Sequence, residues 1–185
     1  MPSPSATELL AAVVRRDAGA WELLVERYAG LVWSVARAQS LDPTAAADVS
    51  QTVWLRLAES CERIRDPERL GAWLATTARN EAIRLSKSAR REQPVDLVRE
   101  ESDPLAPAPG ERLETGERLA EVRRAFARLD EACQELLRLL TQEPKLDYQA
   151  VAELTGRPIG SIGPTRGRCL DRLRRHLTAP EHVGR

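Results

Sequence analysis

The sequence predicts an all-α protein made of two small helical domains joined by an acidic, proline-rich linker. Three observations predict it. Apolar residues recur at helical spacing in two long blocks, and strand-like alternation is absent. Between the blocks lies QPVDLVREESDPLAPAPGERLETG, residues 93–116, with four prolines and six acids. Such a composition buries too little apolar surface to offset the entropy of ordering, so it reads as an extended tether. At 185 residues the chain can bury one ordinary core or two small ones.

The first domain is expected over residues 1–92. From Trp21, the apolar positions Leu24, Val25, Tyr28, Leu31, Val32 and Val35 keep a helical period. Asp42-Pro43 is a helix start, with aspartate as N-cap and proline at the first helical position. Asp66-Pro67 repeats the device and is expected to open PERLGAWLATTARNEAIRLSKSARRE. After the linker, Leu119, Val122, Phe126, Leu129, Leu136, Leu137 and Leu140 restore the period in a second domain, residues 117–178. Residues 179–185 form a tail.

Near the C-terminus, Ala152, Gly156 and Ile162 supply the small residue, turn glycine and early apolar residue of a helix-turn-helix. The stretch GRPIGSIGPTRGRCLDRLRR (156–175) holds six arginines and one acid. On a helical wheel Ile162, Cys169, Leu170, Leu173 and Leu177 share one side. Pro164, Thr165, Arg168, Asp171, Arg172 and Arg175 occupy the other, a face suited to a DNA major groove. Pro164 is tolerated in a first turn, with Ser161 or Gly163 as N-cap. Arg166 falls awkwardly toward the apolar side.

Lys plus Arg and Asp plus Glu both number 28, so the chain does not coat nucleic acid by bulk charge. Charge is nonetheless segregated: +1 over residues 1–92, −5 over 93–121 and +4 over 122–185. Cys61, Cys133 and Cys169 lie far apart without a C-x-x-C pair. Neither a zinc site nor a disulfide is expected of them, but three free thiols in a reducing cytosol. No apolar run approaches the ~20 residues of a membrane span, and no signal pattern opens the chain. A soluble, cytoplasmic protein is expected. His176 and His182 lie near the C-terminus, and no phosphate loop, nucleophile motif or metal cluster is present, so neither enzyme chemistry nor a cofactor is expected.

Three ordered blocks carry a resemblance to the extracytoplasmic-function sigma factors of bacterial RNA polymerase. DVSQTVWLRL (48–57) resembles the family's D-L-V-Q-E-x-F-L-R-L. GAWLATTARNEAIRLSKSARRE (71–92) resembles W-L-x-x-I-A-R-N followed by a basic helix end. LDYQAVAELTGRPIGSI (146–162) resembles L-S-Y-x-E-I-A-E-x-L-G-x-P-x-G-T-V. The resemblance implies sigma region 2 within residues 1–92, region 4 within 117–178 and no folded region 3. Two departures stand out. Ala47 and Thr52 replace common acids, and GPTRGRCL follows Ile162 where K-S-R-L-H-R-A-R is usual, with Arg166 at a leucine position.

The resemblance implies a set of contact residues. Asp48, Gln51, Trp54, Leu55 and Arg56 would dock on the clamp helices of the polymerase's largest subunit, although Trp54 and Leu55 suit core packing equally. Arg69, Trp73, Thr76, Arg79, Asn80, Lys87 and Arg90 would meet the melted −10 non-template strand. Cations there suit the backbone, and polar or aromatic groups suit unstacked bases; Trp73 also suits the core. Glu81 falls on the apolar side of this helix with no evident reason. Ser161, Pro164, Thr165, Arg166, Arg168, Arg172 and Arg175 would read the −35 duplex. The implied partners are core RNA polymerase, promoter DNA and an anti-sigma factor, with no membrane. A stand-alone helix-turn-helix regulator is the alternative, but it leaves DVSQTVWLRL without a role.

Overall fold

The structure is a computed structural model that describes residues 4–39, 41–92 and 116–178. Among these residues every regular element is helical. Most of the expected linker, and the tail, lie outside them.

Helix α1 (Ala6–Val14) was not expected from apolar spacing, yet its start is written in Ser5-x-x-Glu8. Ser5 Oγ accepts the Glu8 N–H at 3.1 Å, and the Glu8 carboxylate accepts the Ser5 N–H at 2.7 Å. This reciprocal capping box holds the Glu8 carboxyl below its ordinary pKa, chiefly through the Ser5 backbone bond. Helix α2 (Ala18–Arg37) is capped by Asp17 and α3 (Pro43–Ser60) by Asp42, with Pro43 in its first turn. At Asp66-Pro67 the expectation needs correction. Asp66 makes no side-chain cap, Pro67–Arg69 is a 3₁₀ turn, and α4 runs from Leu70 to Glu92.

Leu24, Leu31 and Val32 of α2, Val53 and Leu57 of α3, and Leu70 and Leu74 of α4 are fully buried together. Burial of each such side chain contributes about 1.5–3 kcal/mol, and these three helices supply most of the first unit's share of the core.

The second unit comprises α5 (Glu117–Ala127), α6 (Glu131–Leu140), α7 (Tyr148–Thr155) and α8 (Ile159–Thr178). Asp130 and Asp147 cap α6 and α7 through bonds of 2.8 and 2.6 Å to Cys133 N–H and Ala150 N–H. Leu136, Val151, Ile162 and Cys169 form its innermost layer.

The two units touch. Helices α2 and α4 pack against α6 and α7, and Leu146, just before α7, is buried where they meet. Gly71 permits the fit: a Cβ on it would stand 3.4 Å from Leu146 Cδ2 and 3.4 Å from Tyr28 Cε1. Beside this contact runs a cleft of about 730 Å³ lined by both units.

The cysteines also need correction. Cys133 on α6 and Cys169 on α8 are joined by a disulfide, and only Cys61 is free. Their separation of 36 residues hid the pairing, because the helical hairpin between them folds the chain back on itself.

Candidate nucleic-acid interface

Helix α3 presents Asp48, Gln51 and Leu55 along one exposed line at i, i+3 and i+7. Leu55 is 66% exposed, too open for a core residue. Trp54 instead is half-buried and packs against the core. Arg56 is exposed but occupied: its guanidinium lies 2.6 Å from Glu81 Oε1. Glu81 is buried, and its other oxygen accepts Arg84 at 2.9 Å. That double ion pair answers why an acid stands on the apolar side of α4. It is the polar stitch between α3 and α4, which the sequence signalled only through Arg84 three residues on.

Arg69, just before α4, and Trp73 and Thr76 on it line one open groove of about 640 Å³ together with Glu153 of α7. Arg69 Nη2 lies 3.3 Å from Glu153 Oε2. Glu153 titrates below the usual carboxylate range, first because the Gln149 amide donates to it at 2.9 Å and further because of Arg69. Trp73 is half-buried against the core, and Thr76, Asn80 and Lys87 are exposed. Arg79 lies in a narrow seam with Glu135 and Arg138 of α6, its Nε buried and without a hydrogen-bond partner. Arg90 lies outside the residues whose side chains are described. The second unit therefore rests on part of the surface expected to hold the −10 strand.

The helix-turn-helix is formed by α7 and α8. Gly156 ends α7 at φ 67°, a left-handed conformation that suits glycine, and its N–H returns to the Ala152 carbonyl. Ala152 and Ile162 are buried as the motif requires. The start of α8 lies earlier than either expected cap. It begins at Ile159, so Ser161 is inside the first turn, its N–H and hydroxyl both donating to the Pro158 carbonyl. Pro164 stands within the helix, in its second turn, and is exposed.

Two further positions differ from the wheel. Thr165 is buried, at 8% exposure, and Arg166 is exposed. The buried stripe is centred on Ile162, Thr165 and Cys169 because α5, α6 and α7 all pack on α8, rotating its inner face from the one read off aliphatic residues alone. Thr165 Oγ1 accepts from Arg168 at 3.0 Å, so it orients an arginine rather than meeting solvent. Arg168, Asp171, Arg172 and Arg175 line one shallow groove on the outer face. Asp171 pairs with Arg174 at 2.7 Å, while Arg172 is ion-paired to Asp130 at the start of α6.

Residues 24–92 match the Sigma-70 region 2 family. The ECF RNA polymerase sigma factor RpoE of Cereibacter sphaeroides is 30% identical over 169 residues, 88% of this chain and 89% of that protein. Two solved structures share the fold at 21% identity. CnrH in complex with the cytosolic domain of CnrY aligns with a TM-score of 0.57 over 93% of this chain and 96% of that one. The sigma factor RpoE from Bartonella quintana, in complex with the anti-sigma factor NepR, gives 0.60 over 86% and 98%. With its helical units, its helix-turn-helix and this relationship along most of its length, the chain belongs to the extracytoplasmic-function sigma factors of RNA polymerase.

Proposed function

We propose that residues 1–92 dock this sigma factor on core RNA polymerase and hold the −10 element, and that residues 117–178 read the −35 element. Residues 93–116 would join the two. The observation that carries the reading is the coexistence of two separate outward surfaces. One is the α8 groove of Arg168, Arg172 and Arg175 behind a left-handed glycine turn. The other is the α3 line of Asp48, Gln51 and exposed Leu55. A stand-alone DNA binder needs the first alone.

Each surface has chemistry matched to its task. Arginine gives bidentate hydrogen bonds to guanine and charge to phosphate, and the α8 groove offers three. A melted strand needs cations and flat or polar surfaces beside them; Arg69, Trp73, Thr76, Asn80 and Lys87 supply these along α4. The chain contributes recognition and no reaction chemistry, which the polymerase active site performs, and it acts in the cytoplasm with its promoters. An anti-sigma factor is a further partner, in keeping with the two structural neighbours solved in complex with the cytosolic domain of CnrY and with the anti-sigma factor NepR.

The test is co-elution of the purified chain with bacterial core polymerase, followed by promoter selection with the reconstituted enzyme. Co-elution that Leu55→Asp abolishes, with helicity retained, is the expected result. Separate elution of a folded wild-type chain would leave the helix-turn-helix regulator as the better reading.

A further inference from the structure

Two of the three cysteines meet, and their meeting place matters. Cys133 stands in the first turn of α6, its N–H held by Asp130. Cys169 stands at the middle of α8. Their Cα atoms are 5.5 Å apart, a spacing that a disulfide spans without backbone movement. Cys61 is remote in sequence and environment: it caps the end of α3, and its thiol donates to the Ala58 carbonyl at 3.4 Å. The chain thus carries one paired cysteine site and, apart from it, one free thiol.

In a reducing cytoplasm such a bond is absent at rest and forms only under oxidation. Apolar packing also joins the two helices, with Leu136 of α6 and Ile162 of α8 both fully buried. Arg172 adds a chemical feature. Its guanidinium, fixed by Asp130, lies 3.8 Å from Cys133 Sγ. A cation beside a sulfur favours the thiolate that attacks oxidants.

We infer that Cys133 and Cys169 form a reversible redox site that fastens α8 to α6, with hydroperoxides as its class of oxidant. The Cys133 thiolate attacks the peroxide oxygen, the O–O bond breaks, and an alcohol or water leaves with the proton, giving a sulfenic acid. The Cys169 thiol then attacks that sulfur; the S–S bond forms, the S–O bond breaks and water leaves. Two thiols and one hydroperoxide become one disulfide, one alcohol and one water. Both cysteines are buried, so the oxidant is small and enters when α8 lifts locally. Closing the bond holds α8 in the orientation described above, which lowers the ordering cost of binding duplex DNA. Only that last consequence rests on α8 reading the −35 element; the thiol chemistry does not.

The experiment uses the full chain, fully reduced, exposed to hydrogen peroxide, quenched in acid, denatured and labelled with a maleimide. Labelling is expected to fall from three sites to one, with a peptide pair linked through Cys133 and Cys169, and dithiothreitol restores three. Cys61→Ser is expected to fall from two sites to none, whereas Cys133→Ser and Cys169→Ser form no internal bond. Three labelled thiols after oxidation, or loss traced to dimers through Cys61, would overturn the site. In reconstituted transcription, the oxidised Cys61→Ser chain is expected to give several-fold more product from a −35-dependent promoter than the reduced one. Equal output with the bond formed would overturn the switching role. Silence in both states, with the thiol counts as expected, would count against the promoter reading and leave the redox site standing.

Discussion

Glu81 occupies a position on α4 that an aliphatic residue would otherwise fill, and Arg56 and Arg84 make it tenable. A buried carboxylate hydrogen-bonded to charged partners contributes more than a surface pair, and removing it breaks the link between α3 and α4. Glu81→Ala is expected to lower stability by about 1–3 kcal/mol, measured by urea denaturation, and Glu81→Gln by less because an acceptor remains. At Gly156 the backbone sits in the left-handed region, where an L side chain costs roughly 1–2 kcal/mol. Gly156→Ala is expected to reduce stability by about that amount, seen in the same assay, with the helix-turn-helix hydrogen-exchange protection falling first. Arg168 and Arg175 differ from Arg172 although all three line one groove. Arg168→Ala and Arg175→Ala are each expected to cost on the order of tenfold in −35-dependent transcription while polymerase co-elution is unchanged. Arg172→Ala removes an ion pair to α6 as well, so its melting temperature falls too.

Among the elements, α2 follows its apolar spacing and α3 its Asp42 cap, whereas the single period from Leu119 to Leu140 breaks into α5 and α6 where Asp130 caps a new start. Helix α1 carries a start signal in Ser5 and Glu8, but its nine residues are too short for the apolar period to mark it. The start of α8 was not legible, because glycines and proline oppose helix by propensity, and tertiary packing on three helices overrides them. The same packing turned Thr165 inward and Arg166 outward, which a wheel built from one helix alone does not contain. Most of the residues expected to face outward on α3 and α8 are exposed, and those that are not are held by another helix: Trp54 by the core, Thr165 by its neighbours. The disulfide was invisible for a related reason. Sequence spacing reports motifs within an element, whereas Cys133 and Cys169 come together through the fold of three.

At the scale of the whole molecule, the contact between the units rests on apolar packing around Leu146 and Gly71, since an exposed ion pair such as Arg69–Glu153 contributes little by itself. Leu146→Asp is expected to separate the units: the radius of gyration by small-angle scattering rises by several Å with helicity unchanged. An unaltered radius would show that the contact does not hold the molecule together. Glu153→Arg is expected to loosen the same contact, and Arg69→Glu in the same chain to restore it. The seam between the units has one more consequence. Arg79 of the expected −10 surface lies inside it, against Glu135 and Arg138 of α6, so on the proposed reading the touching and promoter-bound arrangements exclude each other. The affinity of the free chain then equals that of its separated form scaled by how often that form occurs. Were it on the order of one molecule in a hundred, promoter binding would weaken about a hundredfold with every DNA-facing residue unchanged. Whatever pulls the units apart would, by that arithmetic alone, set when the promoter is found.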